Sequence, residues 1–484
     1  MPLRAWHTRI LLATTLLCSS GSAAFARDLL EVWQLALSRD PIYAASGYSR
    51  DADQERLPQA RAKLLPYVTA GANASVDNTR RARTLSDSAT DRRAAWSLSL
   101  VQPLFDLPAW RTVQRADFQV SQADVTYRLA YQDLILRTAQ AYFDVLAVQD
   151  SLRAVMSEKA AIETQLKAAQ QGYELGATTI TDAHEAQARL DLATANEINL
   201  RNELQLAEDA LARLIAERPG DLAELPLTAA LPAPIPNRID EWTSQASHAG
   251  LSVKNAELQA RIAEKEIEIA RGQHAPTVDI VASTGSASDY GVDGYRSGSR
   301  SLDSTVGLQL SIPIFTGGEI SSRVREQTSR LQQARAELEN ARREAVQLAQ
   351  LHFKGVISGL SQIKALEAAA RSSQLALEAN RTGYEIGVRV NIDVLNAEQQ
   401  VYVTQRTLAR ARYDTLMHGL RLKAAAGILE EADLVAINSL LMRPEAAAAA
   451  AAAAPPGPST GARTHAGSVT TGVGAAAASR ATGR

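Results

Sequence analysis

The chain has 484 residues, enough for two to four domains, with 46% hydrophobic and 21% charged residues and a formal net charge of -2. So even a balance offers no footprint for nucleic acid or another polyanion. Aromatic residues make up only 5%, and alanine and leucine carry the apolar content, which leans towards long helices.

Residues 1–26 read as a secretory signal. Arg4, His7 and Arg9 give a basic start, Ile10 to Leu17 a short apolar run, and Ala24-Phe25-Ala26 a small-residue cleavage site. The run is well short of the roughly 20 residues of a membrane-spanning helix. The sole cysteine, Cys18, lies in this signal behind Leu17, where a lipidated signal usually has a smaller residue. The exported chain then has no cysteine, which excludes disulfides, cysteine nucleophiles and thiolate metal sites.

Residues 28–38 and 41–62 read as two short helices divided at Asp40-Pro41. The period then changes from helical to alternating. Val68, Ala70, Ala72, Ala74 and Val76 alternate with Thr69, Gly71, Asn73 and Ser75, and after a polar loop (77–93) Trp96, Leu98 and Leu100 alternate with Ser97 and Ser99. About ten residues per strand suits a tilted strand crossing a bilayer, although a soluble hairpin gives the same alternation.

Asp106-Leu107-Pro108 is a helix start, with Asp as N-cap and Pro in the first turn. No Pro or Gly then intervenes until Gly172, which allows about 95 Å of helix at 1.5 Å per residue. Its apolar seam (Tyr127, Tyr131, Leu134, Thr138, Ala141, Val145, and onward to Leu166, Ala169 and Tyr173) has the 3-4 spacing of a left-handed coiled coil, broken only by Thr138 and Lys159. Gly172 and Gly176 are expected to interrupt it, a return helix to start near Thr181-Asp182, and Arg218-Pro219-Gly220 to stop that helix.

A Pro-rich connector at 226–237 leads into a second copy of the same design. Residues 277–284 form one strand, and Val306, Leu308, Leu310, Ile312 and Ile314 mark another after a loop over 285–303. Gly317-Gly318 precedes a second long helix, Gly383 and Gly387 interrupt it, and its return helix reaches about Ala426. Leu65-Pro66, Gln102-Pro103-Leu104-Phe105 and Gly172-Tyr173-Glu174-Leu175-Gly176 return as Ala275-Pro276, Ile312-Pro313-Ile314-Phe315 and Gly383-Tyr384-Glu385-Ile386-Gly387 at an offset of 210 or 211 residues. The chain therefore divides into a signal (1–26), a first repeat (27–225), the connector (226–237), a second repeat (238–442) and a low-complexity tail (443–484).

The fold class is α+β, internally duplicated, with long antiparallel coiled-coil helices beside strands. Two hairpins give four strands per chain. Four strands cannot close a barrel in lipid, where open edges are not tolerated, so chains must associate; two would supply eight strands and three would supply twelve.

On these motifs the chain, over roughly residues 28–442, resembles a TolC-family outer-membrane channel, the exit duct of tripartite efflux pumps and type I secretion systems. The resemblance implies a homotrimer with a twelve-stranded β-barrel in outer-membrane lipid of a Gram-negative cell and an α-barrel in the periplasm. It implies as partners a periplasmic adaptor (membrane fusion) protein and an inner-membrane transporter, ABC or proton-driven. It further implies a periplasmic gate of Asp182, Tyr384 and Arg389, opened by those partners, and a lumen constriction at Asp393, where a second acidic position is occupied by Asn396. The residue matching Arg389 in the first copy is Thr178, so an Arg present once can pair with an Asp present twice. A solvated helix-end charge is the simpler account of each of these residues.

Two other classes stand against the channel. No His-Glu-x-x-His, Gly-x-Ser-x-Gly or Walker sequence occurs and the seven His are scattered, so no enzyme, metal or cofactor is expected. A periplasmic coiled-coil adaptor or structural protein accounts for the helices but leaves the two strand hairpins unexplained.

Overall fold

The computed structural model describes residues 26–80, 88–176, 178–291 and 299–442, with no account of the side chains of 77–80, 88–91, 288–291 and 299–300. The signal, Cys18 and the low-complexity tail lie outside these residues. Helix α1 (Leu29–Arg39) begins in a capping box of Asp28 and Glu31. Helix α2 (Pro41–Gln54) takes Asp40 as its N-cap. A break at Glu55 separates it from α3 (Arg56–Ala62), so the second expected helix is two. Pro58 explains the break: its ring clashes with the carbonyl four residues back and it donates no hydrogen bond.

Strands β1 (Tyr67–Arg80), β2 (Ser88–Phe105), β3 (Thr277–Gly291) and β4 (Ser299–Ser311) form one antiparallel sheet in that order. They run further into the polar segments than the alternation suggested. Residues 77–80, 88–93, 285–291 and 299–303 of the expected loops are strand, because backbone pairing continues where polar side chains hide the period. Ile312 and Ile314 lie past the end of β4, beside Pro313, which cannot donate to a ladder.

The register turns the alternation into two faces. Ala72 pairs with Trp96 and Trp96 with Ser286; Val68 pairs with Leu100, Leu100 with Ala282, and Ala282 with Val306. Directly paired residues share a face, so these form an apolar one. Thr69, Ser99, Ser283 and Thr305 lie on the other, where Thr69 bonds Ser99 at 2.5 Å and Ser283 bonds Thr305 at 2.8 Å. The outer edges of β1 and β4 have no partner strand within the sheet.

The long helices are α4 (Leu107–Glu174, 68 residues) and α8 (Glu319–Glu385, 67 residues). Asp106 caps α4 by accepting from the Ala109 amide at 2.9 Å. Gly317 and Gly318, at φ 64° and 84°, turn the chain into α8. Their return helices are α5 (Ile180–Ile215) and α9 (Asn391–Ala425). Helix α5 stops before Arg218-Pro219-Gly220, at Ala216 in the left-handed region. Between the copies come α6 (Ile239–Ala249) and α7 (Leu251–Gly272), and α10 (Glu431–Asn438) closes the described chain.

Near the sheet, α7 packs between α4 and α8 while α2 and α3 pack on α4; away from it, α5 and α9 pair with α4 and α8. The main core sits between these halves, where Leu29, Trp33, Tyr142, Phe143, Leu211 and Leu420 are buried together. Of the seam breakers, Lys159 reaches Glu197 of α5 at 2.9 Å, whereas Thr138 is buried with its hydroxyl unpaired.

Candidate functional site: the helix-turn end

Both helical hairpins turn at the end far from the sheet. The glycines expected to break the helices divide by role. Gly176 and Gly387 do so, at φ 72° and 78°. Gly172 and Gly383 remain helical and provide space instead. A β-carbon on Gly172 would lie 2.8 Å from the Thr178 hydroxyl, and one on Gly383 would lie 2.7 Å from Cγ of Arg389. Each turn folds its sixth following side chain back over the glycine: a short hydroxyl in one copy, a guanidinium stem in the other.

The two return helices start differently. Thr179 caps α5, and its amide and hydroxyl donate to the Asp182 carboxylate at 3.1 and 3.0 Å. In the second copy the cap position is Val390, which offers no side-chain bond. Asp393 therefore has no hydroxyl to hold, and instead pairs with Arg389 at 3.5 Å. This one difference, Thr against Val, separates an aspartate held by its own helix cap from one that pairs with a neighbouring arginine.

Tyr384 is half-buried against Leu377, Val394 and Val401. Within one chain, then, Asp182, Tyr384 and Arg389 do not meet: Asp182 serves a cap, Tyr384 packs, and Arg389 reaches Asp393. Asn396 is exposed and accepts from Nη2 of Arg189 on α5 at 2.8 Å, while Nη1 of Arg189 reaches Gln399 at 2.6 Å.

A second polar layer lies one to two turns above. Glu398 of α9 is buried, accepting from Arg381 of α8 at 2.6 Å and from Gln165 of α4 at 3.1 Å. One carboxylate thus ties three helices and both hairpins together. Burial pushes the nearby Glu158 carboxyl up; Arg406 opposes this and the Glu398 charge adds to it. The sequence reading missed Arg189, Arg381, Glu398 and Gln165. The available signal was a charge at a seam position, Glu398 standing between Leu395 and Val401.

Nearer the sheet, α2, α4, α7 and α8 share a concave polar groove of about 740 Å³, lined by Arg50, Gln122, Glu266, Arg330 and Glu337 among others. Among the described residues no group of three or more His, Cys, Asp or Glu could hold a metal, and no helix is long and apolar enough to cross a membrane.

The chain matches the outer membrane efflux protein family over residues 32–217 and 242–428, once in each copy. It belongs to that family. It is 34% identical over 434 residues to outer membrane protein TolC of Escherichia coli, covering 88% of this chain and 87% of that one. It is 32% identical over 443 residues to the proteases secretion protein PrtF of Dickeya chrysanthemi, covering 89% and 94%. The crystal structure of the outer membrane protein VceC of Vibrio cholerae superposes with a TM-score of 0.70 at 20% identity, over 82% of this chain and 96% of that one. Membership in the outer membrane efflux protein family makes this an outer-membrane transport protein of a Gram-negative bacterium and not an enzyme. The adaptor reading falls with it, because the strand hairpins that reading left unexplained belong to the family's fold.

Proposed function

We propose that three copies of this chain close into a passive duct through the outer membrane and periplasm, shut at its far end by the helix turns and opened there by partner proteins. The observation that carries this is the sheet: an apolar face, a polar face and two open edges. β1 and β4 run in opposite directions, so β4 of one copy and β1 of the next continue the antiparallel alternation. Eight strands leave room only for side chains or one small ligand, so three copies are the fewest that leave an aqueous lumen.

The partners are a periplasmic adaptor protein and an inner-membrane transporter, since the chain has no nucleotide-binding sequence to supply energy. The relative named for protease secretion supports polypeptide cargo of a type I system beside small-molecule efflux. At the closed end, Arg389 of one copy exchanges its local Asp393 partner for Asp182 of a neighbour, and Tyr384 braces the turn. An exposed pair of this kind is worth about 0–1 kcal/mol, low enough for a docked partner to break.

The test is single-channel conductance of the purified trimer in planar bilayers. Arg389→Ala and Asp182→Ala are each expected to raise it. Unchanged conductance in both variants removes these residues from the gate, and a monomeric mass in detergent removes the duct.

A further inference from the structure

We infer that Arg189 sets the charge selectivity of the constriction, by placing a fixed cation on the face of α9 that Asp393 makes acidic. The inference rests on the reading of Asp393 as a lumen residue. On α9, Val394 and Val401 pack towards α8, and Leu395 packs into the seam of α4 and α5 with Ile162, Leu166 and Ala186. Asp393, Asn396 and Gln400 follow one another at three- and four-residue spacing on the remaining face, so they rise one above the next. Asn396 is exposed on that face.

Arg189 arrives there from the other hairpin. Its two terminal nitrogens are fixed on Asn396 and Gln399, at 2.8 and 2.6 Å, and neither acceptor carries a charge. A guanidinium does not deprotonate in proteins, so the bonds hold a positive charge in place through neutral acceptors, with Glu158 of α4 the carboxyl its charge acts on. The duplication is broken here too, since the position matching Arg189 in the second copy is Gln400.

Each copy therefore brings Asp393, its neighbour Arg389 and Arg189 to one end. With Arg389 taken up by Asp182 of a neighbour, a ring of three sets three Asp393 carboxylates against three Arg189 guanidinium groups. Rings of acidic side chains favour cations, and rings of Arg or Lys favour anions. The constriction is thus close to charge-balanced, and an acidic residue at 396 would meet Arg189 before it met a passing ion.

The experiment measures the K⁺/Cl⁻ permeability ratio from reversal potentials, and block by a trivalent cobalt hexammine ion, on the full-length trimer. Arg189→Gln is expected to raise the ratio at least about twofold and to strengthen block, while Arg189→Lys stays near the native channel. Asn396→Asp alone is expected to change block little, and the Arg189→Gln, Asn396→Asp double variant to be blocked most strongly. The single Asn396→Asp variant keeps the test decisive if loss of Arg189 prevents assembly, because strong block of that variant overturns the inference. An unchanged ratio in Arg189→Gln, with a lowered ratio in Asp393→Asn, also overturns it while the constriction stands. No change in either variant removes Asp393 from the lumen and the inference with it.

Discussion

Asp182 has two possible employers, and they can be separated residue by residue. In the capping box its carboxylate serves Thr179; in the proposed gate it serves an Arg389 from a neighbour. Thr179→Ala removes the cap's hydroxyl and is expected to cost about 1 kcal/mol of local helix stability with conductance little changed, because Asp182 remains. Asp182→Ala is expected to raise conductance as well. Equal conductance increases in both variants would show that fraying of α5, not a lost ion pair, opens the end. A second residue-scale prediction concerns His352 and His418, whose Nδ1 atoms lie 3.1 Å apart between α8 and α9. Burial pushes His352 down to about 4 from an ordinary 6.5, with the His418 and Arg421 charges adding to it. Burial also lowers His418; Arg421 adds to this and Asp414 opposes it. Between pH 6.5 and about 4 the unfolded chain holds the His352 proton and the folded chain does not, so stability falls as pH falls through that window. The loss is at most about 2–3 kcal/mol for His352. Melting followed by circular dichroism is expected to show a lower midpoint at pH 4.5 than at pH 7, and His352→Gln to flatten that dependence.

At the scale of elements, the lower helices are held by packing and by the carboxylate of Glu398. Arg381 is half-exposed and Glu398 is 1% exposed, so the two ends of the pair are not equivalent. Removing the carboxylate's partner leaves a buried charge, which costs about 3–5 kcal/mol when nothing relaxes; Gln165 still donates, so about 2 kcal/mol is expected for Arg381→Met. Glu398→Gln keeps the shape and loses the charge, and is expected to cost less. A larger melting loss for Glu398→Gln than for Arg381→Met would sink this account. The elements themselves were largely legible, because periods of two and of 3.5 leave different marks and long helices without Gly or Pro leave few alternatives. Helix ends were less so. Gly172 and Gly383 looked like breakers, but a helix tolerates a glycine when a side chain needs its space, and that need appears only once Thr178 and Arg389 fold back. The difference between the two turns was legible where the copies differ at a motif, as at Arg389 and Thr178. A difference that falls between partners on different helices was hidden: Arg189 and Asn396 are 207 residues apart, and nothing in either segment names the other.

For the whole molecule, the decisive question is which face of the sheet meets lipid. Val306 lies near the middle of β4 and is 81% exposed in the single chain. Its paired neighbour Ala282 continues the apolar face through Leu100 and Val68. Thr305, one residue earlier, points the other way and bonds Ser283. In a soluble sheet an Arg at either position is a surface change of little consequence. In a membrane barrel the two differ by parity alone. Val306→Arg puts a charge near the bilayer midplane, at about 2–4 kcal/mol per chain, and a trimer incurs that cost three times. Thr305→Arg puts the same charge in an aqueous lumen. The expected result is loss of the heat-resistant trimer from the outer-membrane fraction for Val306→Arg, and a normal trimer with altered ion selectivity for Thr305→Arg. Assembly lost in both variants, or retained in both, would mean that the alternation does not divide lipid from lumen. Assembly lost only in Thr305→Arg would mean that the faces are reversed.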